Sequence, residues 1–167
     1  DVSVREVGIA TLLAAKLANG GCAAVICNTV DSAQRTFAAV RQLFGGRREG
    51  DDEWNDVDLF HARFPWDQRR RIERRVLQKF GSVETAGDAV DRPFRAVLVA
   101  TQLIEQSLDL DFDLVVTEMA PMDLLIQRAG RLWRHERGER HGVSQVPELW
   151  VVSPTYVNGD GEPASAD

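Results

Sequence analysis

Between Arg95 and His135 the sequence reads RAVLVATQLIEQSLDLDFDLVVTEMAPMDLLIQRAGRLWRH, and this stretch constrains the fold more than any other. Val97, Leu98, Val99 and Ala100 form an apolar run that stops abruptly at Thr101-Gln102, and Leu114, Val115 and Val116 form a second that stops at Thr117-Glu118. Short runs that are apolar throughout, rather than at alternate positions, are the mark of strands buried on both faces. The polar residues Thr101, Glu105, Gln106, Asp109 and the segment from Gln127 to Arg134 then fall at strand ends and helix starts, which is where α/β sheets bind ligands.

The rest of the chain alternates strand and helix. Val4, Val7, Leu12, Leu13 and Leu17 predict an amphipathic helix stopped by Asn19-Gly20-Gly21, followed by a strand at Ala23 to Cys27. Asp31, with Gln34 three residues on, reads as the capping box of a second helix with Ala33, Phe37, Val40 and Phe44 on its buried face, closed by Gly45-Gly46. After a polar loop from Arg47 to Asp56, a second strand spans Val57 to Phe60. A third helix runs from Asp67 to Phe80, where Ile72, Val76 and Phe80 recur every fourth residue. An acidic loop, Ser82 to Pro93, precedes the strand at Ala96 to Ala100. A turn or helix around Ile104, the strand at Leu114 to Thr117, a helix from Asp123 to Trp133 and a strand at Leu149 to Val152 complete the series. Such alternation predicts a three-layer α/β/α domain on a mainly parallel sheet, the RecA-like architecture.

With 167 residues, 44% apolar and 28% charged, the chain has the material for one domain with a real core. No stretch nears the roughly 20 apolar residues of a membrane-spanning helix. There is no signal-peptide pattern, and Cys22 and Cys27 lie in or beside a buried strand without CxxC spacing, so reduced cysteines and a cytoplasmic location are expected. The net charge of -6 argues against coating nucleic acid by bulk electrostatics and leaves only local patches. Two exist: Arg69, Arg70, Arg71, Arg74, Arg75 and Lys79 in the third helix, and Arg128, Arg131, Arg134, Arg137 and Arg140 further on. The chain does not begin with Met and ends in a polar run, so we expect a piece of a larger protein, with one domain over 1–157 and a tail or linker over 158–167.

ATQLIEQSLDLDFD and QRAGRLWRH resemble motifs V and VI of superfamily 2 helicases, and within them the helicase part of the CRISPR-associated helicase-nuclease family of type I interference systems. The Glu105-Gln106-Ser107-Leu108-Asp109 segment is similar to that family's motif V, where RNA helicases tend to carry a glycine before the aspartate. Val25-Ile26-Cys27-Asn28-Thr29-Val30 through Gln34, and Leu59-Phe60-His61-Ala62-Arg63-Phe64 through Arg70, resemble its motifs IV and IVa, so the likeness runs in order from Ala23 to Pro154. Trp133 stands where the family usually shows a histidine, with the arginine spacing intact.

The resemblance implies the second, C-terminal RecA-like domain of an ATP-dependent single-stranded-DNA translocase. Such a protein would be recruited by a CRISPR RNA-guided surveillance complex, move 3′ to 5′ along the displaced strand, and degrade it through an HD-type nuclease domain in antiviral defence. ATP and Mg would be held mainly by a first RecA-like domain, and a divalent metal by the nuclease domain. This sequence contains no G-x-x-x-x-G-K-[ST] phosphate loop, no aspartate-glutamate box after an apolar strand and no adjacent His-Asp pair. The chain alone is not expected to hydrolyse ATP.

By the same resemblance Arg131 and Arg134 are arginine fingers, Gln127 and Arg128 bridge nucleotide and domain interface, and Asp109 lies near the ATP ribose or at that interface. Gly130 would let another backbone approach. Two arginines three apart on a helix can reach one anion, and neutralising charge on a transferring phosphoryl group is the need a finger meets. Spacing alone fits a solvated helix pairing with Glu136 and Glu139 as well. Thr101, with Gln102 beside it, suits contact with a nucleic-acid phosphate. Asn28 and Thr29 either approach nucleic acid or nucleotide, as the resemblance to motif IV implies, or cap a helix. Arg63 and the Arg69 to Arg75 cluster either hold a single strand or form a charged outer face. Trp66 and Trp133 either stack on bases or pack.

Asp109-x-Asp111-x-Asp113 opens like a calcium loop, but Leu114 and Ala120 stand where glycine and glutamate are required, so calcium is rejected. Asp51-Asp52-Glu53-Trp54 reads as a solvated loop, and His61, His135 and His141 lack metal spacing. The alternatives are an RNA or DNA-repair helicase domain of the same superfamily, or a non-catalytic nucleic-acid or partner-binding module built on a helicase half.

Overall fold

The structure is a computed structural model that describes residues 3–44, 57–82, 92–106, 108–137, 140 and 146–153. The loop expected at 47–56, most of that at 82–93, and the tail at 158–167 lie outside the described residues. The elements follow in the order α1 (Val4–Lys16), β1 (Gly21–Ile26), α2 (Val30–Phe44), β2 (Val57–Phe60), α3 (Trp66–Phe80), β3 (Arg95–Ala100), α4 (Leu103–Gln106), β4 (Leu114–Glu118), α5 (Met122–Ala129) and β5 (Glu148–Val152).

The five strands form one sheet in the order β2-β3-β1-β4-β5, every pair parallel. The uniformly apolar runs are explained by what covers them. Ala23, Val25, Val97, Val99, Leu114 and Val116 face one layer with Ile9 and Leu13 of α1 and Val40 and Phe44 of α2. Their alternates Cys22, Ala24, Ile26, Ala96, Leu98, Ala100 and Val115 face the other, with Val76 and Phe80 of α3, Ile104 of α4, and Leu108, Leu110 and Phe112. Strands buried on both sides have no polar face to show. Among the described residues no helix is long and apolar enough to cross a membrane.

Three local expectations are corrected. Asp31 does not cap the second helix: α2 begins at Val30, and the Thr29 hydroxyl accepts the Ser32 N–H at 3.1 Å. Asp31 instead sits in the first turn, ion-paired with Arg35. The first helix stops at Lys16, ahead of the glycines; Gly20 and Gly21 take φ of 104° and 111° and turn the chain into β1. A Cβ at Gly20 would lie 2.8 Å from the Phe94 carbonyl oxygen, so that glycine serves a close approach as well as a turn. The helix expected to reach Trp133 ends at Ala129. Beyond it the backbone runs alongside Phe112, whose N–H donates to Arg131 O at 2.9 Å and whose carbonyl accepts the Trp133 N–H at 3.0 Å. The regular helix thus gives way to a turn, with Arg131 N–H donating to Arg128 O and Leu132 N–H to Ala129 O, both at 3.0 Å. Arg131 and Arg134 lie on an irregular strap beside Phe112 rather than on one face of a helix.

Candidate functional site at the carboxyl edge of the sheet

From β1 the chain passes through α2 to β2 on one side of the sheet, and from β4 through α5 to β5 on the other. The direction of winding therefore reverses between β1 and β4, leaving a crevice at their carboxyl ends of the kind that binds ligands in open α/β sheets.

Asn28 stands at this point. Its N–H donates to the Glu118 carboxylate at 2.5 Å, its side-chain amide donates to Met119 O at 2.8 Å, and its carbonyl accepts from Gln102 at 3.5 Å. Arg128 comes up from α5 with 0% exposure and all three nitrogens engaged. Nε meets Glu105 at 2.7 Å, Nη1 meets the Thr117 hydroxyl at 2.6 Å and Glu118 O at 3.1 Å, and Nη2 meets the Asn28 side-chain oxygen at 3.3 Å. Burying a guanidinium requires this degree of pairing. The ends of β1, β3 and β4 are thereby tied into one network by Arg128, and a ligand would meet Arg128 through Asn28 or Glu105 rather than directly.

Glu118 is a second centre, one that sequence reasoning did not single out. Ser32 donates to it at 2.5 Å, and Arg5 pairs with it from the start of α1. Burial pushes its pKa up, but these donors together with the Asn28 amide hold it below the ordinary carboxylate value. Nothing in the spacing of residues 5, 32 and 118 marks them as partners. The one signal in the sequence is a carboxylate two places after an apolar run, at the strand end.

The strap carries the other arginines. Arg131 is half-buried, and its guanidinium donates to Glu105 O at 2.7 Å and to Leu108 O. Both partners are neutral carbonyls. Burial, then the neighbouring Arg134 charge, lowers its pKa, so the site holds a cation under electrostatic tension. Arg134 is more open, its side chain 46% exposed, and pairs with Asp109 at 2.5 Å. His135 reaches the same carboxylate at 3.3 Å. The expected partner Glu136 is not used, and Glu139 lies outside the described residues.

Gln127 is exposed on α5 beside the exposed apolar side chains of Met122 and Ile126. Gly130 has an ordinary φ of -64°, and a Cβ there would meet nothing nearer than Gln127 O at 3.4 Å. Among the described residues no contact calls for a glycine at that position. Thr101 is buried at the end of β3, its N–H donating to Phe60 O at 3.2 Å, while Gln102 is exposed beside it. Thr29 caps α2. Arg63 is exposed after β2 and forms no ion pair among the described residues. His61 nearby is buried and stacked on Phe64 at 4.2 Å, with neither ring nitrogen hydrogen-bonded among the described residues, and burial lowers its pKa. Asn28, Gln102, Arg128 and Arg131 thus join one contiguous set with Glu105; Arg134 and Asp109 extend it along the strap; Thr29 and Arg63 stand apart from it.

Asp111 and Asp113, two members of the calcium-like pattern, are held by protein cations. Arg92, Arg137 and Arg140 converge on them. Among the described residues no group of three His, Cys, Asp or Glu side chains could hold a metal ion.

An all-parallel sheet wound in this order, with its polar groups at the carboxyl edge, is the RecA-like α/β architecture. The C-terminal domain of the DEAD-box protein Dbp5 shares that fold, at 17% identity and a TM-score of 0.53 over 91% of this chain and 72% of that one. The chain belongs to the family described as CRISPR-associated nuclease/helicase Cas3, C-terminal, whose sequence model matches residues 19–137. It is 40% identical to the CRISPR-associated endonuclease/helicase Cas3 of Escherichia coli K12 over 87% of this chain and 14% of that protein. It is equally 40% identical to the Cas3 nuclease/helicase of Streptococcus thermophilus over 77% of this chain and 13% of the other. The crystal structure of T. fusca Cas3 with ATP matches at 42% identity and a TM-score of 0.78, covering 92% of this chain and 16% of that one. A CRISPR RNA-guided surveillance complex before nicking contains a chain that matches at 38% identity and a TM-score of 0.70, over 91% of this chain and 17% of the other. The chain therefore spans about a seventh of the curated relatives it matches.

Proposed function

We propose that this chain is the second RecA-like domain, over residues 1–157 with a linker at 158–167, of a cytoplasmic ATP-dependent translocase that moves along single-stranded DNA. It would act beside a metal-dependent HD-type nuclease domain once a CRISPR RNA-guided surveillance complex has opened the target. The observation that carries this reading is Arg131, a half-buried cation whose partners among the described residues are the Glu105 and Leu108 carbonyls. A half-buried positive charge that no carboxylate among the described residues pairs with directly suits an incoming anion, and a triphosphate held by an opposing domain supplies one. Arg131 meets the charge that builds on the γ-phosphate, and Arg134 leaves Asp109 to join it. The exposed apolar pair Met122 and Ile126, with Gln127 and the sterically unconstrained Gly130, form the surface on which the opposing domain closes. Mg accompanies the nucleotide and is held by that domain.

The strand-end residues Thr101, Gln102, Asn28 and Thr29, with Arg63, form this domain's share of the DNA track. Cleft closure against changing strand contacts turns hydrolysis into steps. The test is ATPase activity of the full-length protein with and without single-stranded DNA. Arg131→Ala should lose about two or more orders of magnitude in turnover while nucleotide binding is largely kept. Turnover equal to the unaltered protein would sink the reading.

A further inference from the structure

The backbone pairing between Phe112 and the strap covers Arg131 and Trp133 and then stops. The next amide along, that of Arg134, donates at 2.8 Å to the Asp111 carboxylate, so a side chain takes over where the backbone pairing ends. The Asp111 backbone is fixed from outside the strap. The residue is 0% exposed, its N–H donates to Phe80 O at 2.8 Å, and its carbonyl accepts from Arg92 at 3.0 Å. Its carboxylate is aimed by Arg137, which also donates to Gly81 O at 2.8 Å, and by Arg140 at 3.1 Å.

Between the two anchored amides the chain does something costly. Trp133 adopts φ of 46°, the left-handed region that a bulky residue seldom enters. Such a conformation persists only where its surroundings over-determine it. Here the Trp133 N–H is held by Phe112, the following N–H by Asp111, and the indole is covered by the Arg140 guanidinium at 5.1 Å. Release of the Arg134 amide would let the kink relax and swing the Arg134 side chain off the edge it shares with Arg131.

We propose that Asp111 is the positioning residue for Arg134: its carboxylate holds the kinked strap so that the second arginine faces the same phosphate as Arg131. The proposal rests on the finger reading given above. Asp111 touches no substrate, and its bearing on catalysis runs through Arg134.

The test is a double-mutant cycle in the full-length protein, reading DNA-stimulated ATPase as kcat and as KM for ATP. Asp111→Ala, which removes the acceptor of the Arg134 N–H, should lower kcat by about 10- to 100-fold with KM nearly unchanged. Placed on Arg134→Ala, the same change should cost less than about twofold more, because the residue it positions is already gone. If Asp111→Ala melts too low to assay, Asp111→Glu keeps the charge that Arg92, Arg137 and Arg140 require while displacing the acceptor from the Arg134 amide, and should show the same pattern. An equal fold-loss in both backgrounds, or no loss in either, overturns the positioning role and leaves the fingers standing. Wild-type turnover in Arg134→Ala would overturn the finger role of Arg134, and the positioning role would fall with it.

Discussion

Two stretches of this chain carry most of its arginine, and they use it in opposite ways. In the segment from Arg128 to Arg140, Arg128, Arg137 and Arg140 are turned inward onto Glu105, Asp111 and Asp113. In α3, Arg70, Arg71 and Arg74 face solvent, and the ion pair described among them, Arg71 with Asp67 at 3.1 Å, is exposed. A count of positive residues treats the two alike. Burial separates them: an inward arginine with matched carboxylates organises backbone and offers no field to a ligand, whereas an outward one does the reverse. Arg131 falls between these cases, buried enough to be desolvated, with the Asp109 and Glu105 charges nearby but no direct ion pair among the described residues, and that is why it is the candidate for chemistry.

The comparison predicts its largest effect at Arg128. Arg128→Ala removes the cation from Glu105 and strips hydrogen bonds from Thr117, Glu118 and Asn28. Breaking one partner out of a buried pair costs about 3 to 5 kcal/mol, so thermal melting should fall sharply and amide exchange at the ends of β1 and β4 should speed up. Retention of wild-type protection there would break the contrast at its strongest point.

The next test uses the exception inside α3. Lys79 on that helix is buried and meets Asp58 of β2 at 2.8 Å, with Arg75 on the same carboxylate at 2.7 Å. Lys79→Ala should destabilise by about 3 kcal/mol, as for other buried pairs that lose one member. Urea unfolding of this variant beside Arg74→Ala, on the outer face of the same helix, would show whether burial rather than location in the chain decides. Similar midpoints for both would say it does not.

How much of this is legible in the sequence follows from the range of the interactions. The strands show because an apolar run is local, and α3 shows because Ile72, Val76 and Phe80 repeat at helical spacing within it. Thr29 and Asp31 both offer a capping acceptor at nearly the same place, and the helix begins at Val30 with Thr29 as the acceptor. The end of α5 at Ala129 and the strap beyond it depend on Phe112, about twenty residues upstream, and Glu118 depends on Arg5 near the other end of the chain. The positions of Arg131 and Arg134 can be read from their motif. That Arg128 is sealed inside while Arg131 meets only carbonyls cannot, since spacing along a chain carries no record of desolvation.

Acid supplies a milder probe of the inward set. Burial works to raise the Asp111 pKa, but hydrogen bonds from Arg137 and Arg140, with Arg92 close by, hold it below the ordinary carboxylate value. The Glu118 pKa is lowered in the same manner. A carboxylate whose folded-state pKa is depressed adds stability that is fully present above its unfolded value and is lost as pH falls through the folded one. Urea midpoints should therefore hold from neutrality to about pH 5 and decline below about pH 4. Asp111→Asn should flatten that decline. A midpoint that falls equally in both proteins would assign the acid sensitivity to other groups.

The smallest effect on stability, and the one that tests the outward set, is expected on the far side of α3. Neutralising Arg70, Arg71 and Arg74 together should leave the melting profile unchanged, because each is exposed and none closes a buried pair among the described residues. If these residues and Arg63 line the strand's path, binding of single-stranded DNA to the full-length protein should weaken, and the slope of log affinity against log salt should fall by about 0.7 for each phosphate that is no longer neutralised. The slope is the informative quantity, since a general loss of structure would lower affinity without removing counterion release in proportion to charge. Adding Arg63→Ala should lower it by one further step. A slope unmoved by all four changes would make α3 a charged outer face and nothing more, and would confine the DNA track to the strand ends at Asn28, Thr101 and Gln102, where the phosphate is met by hydroxyl and amide groups instead of by charge.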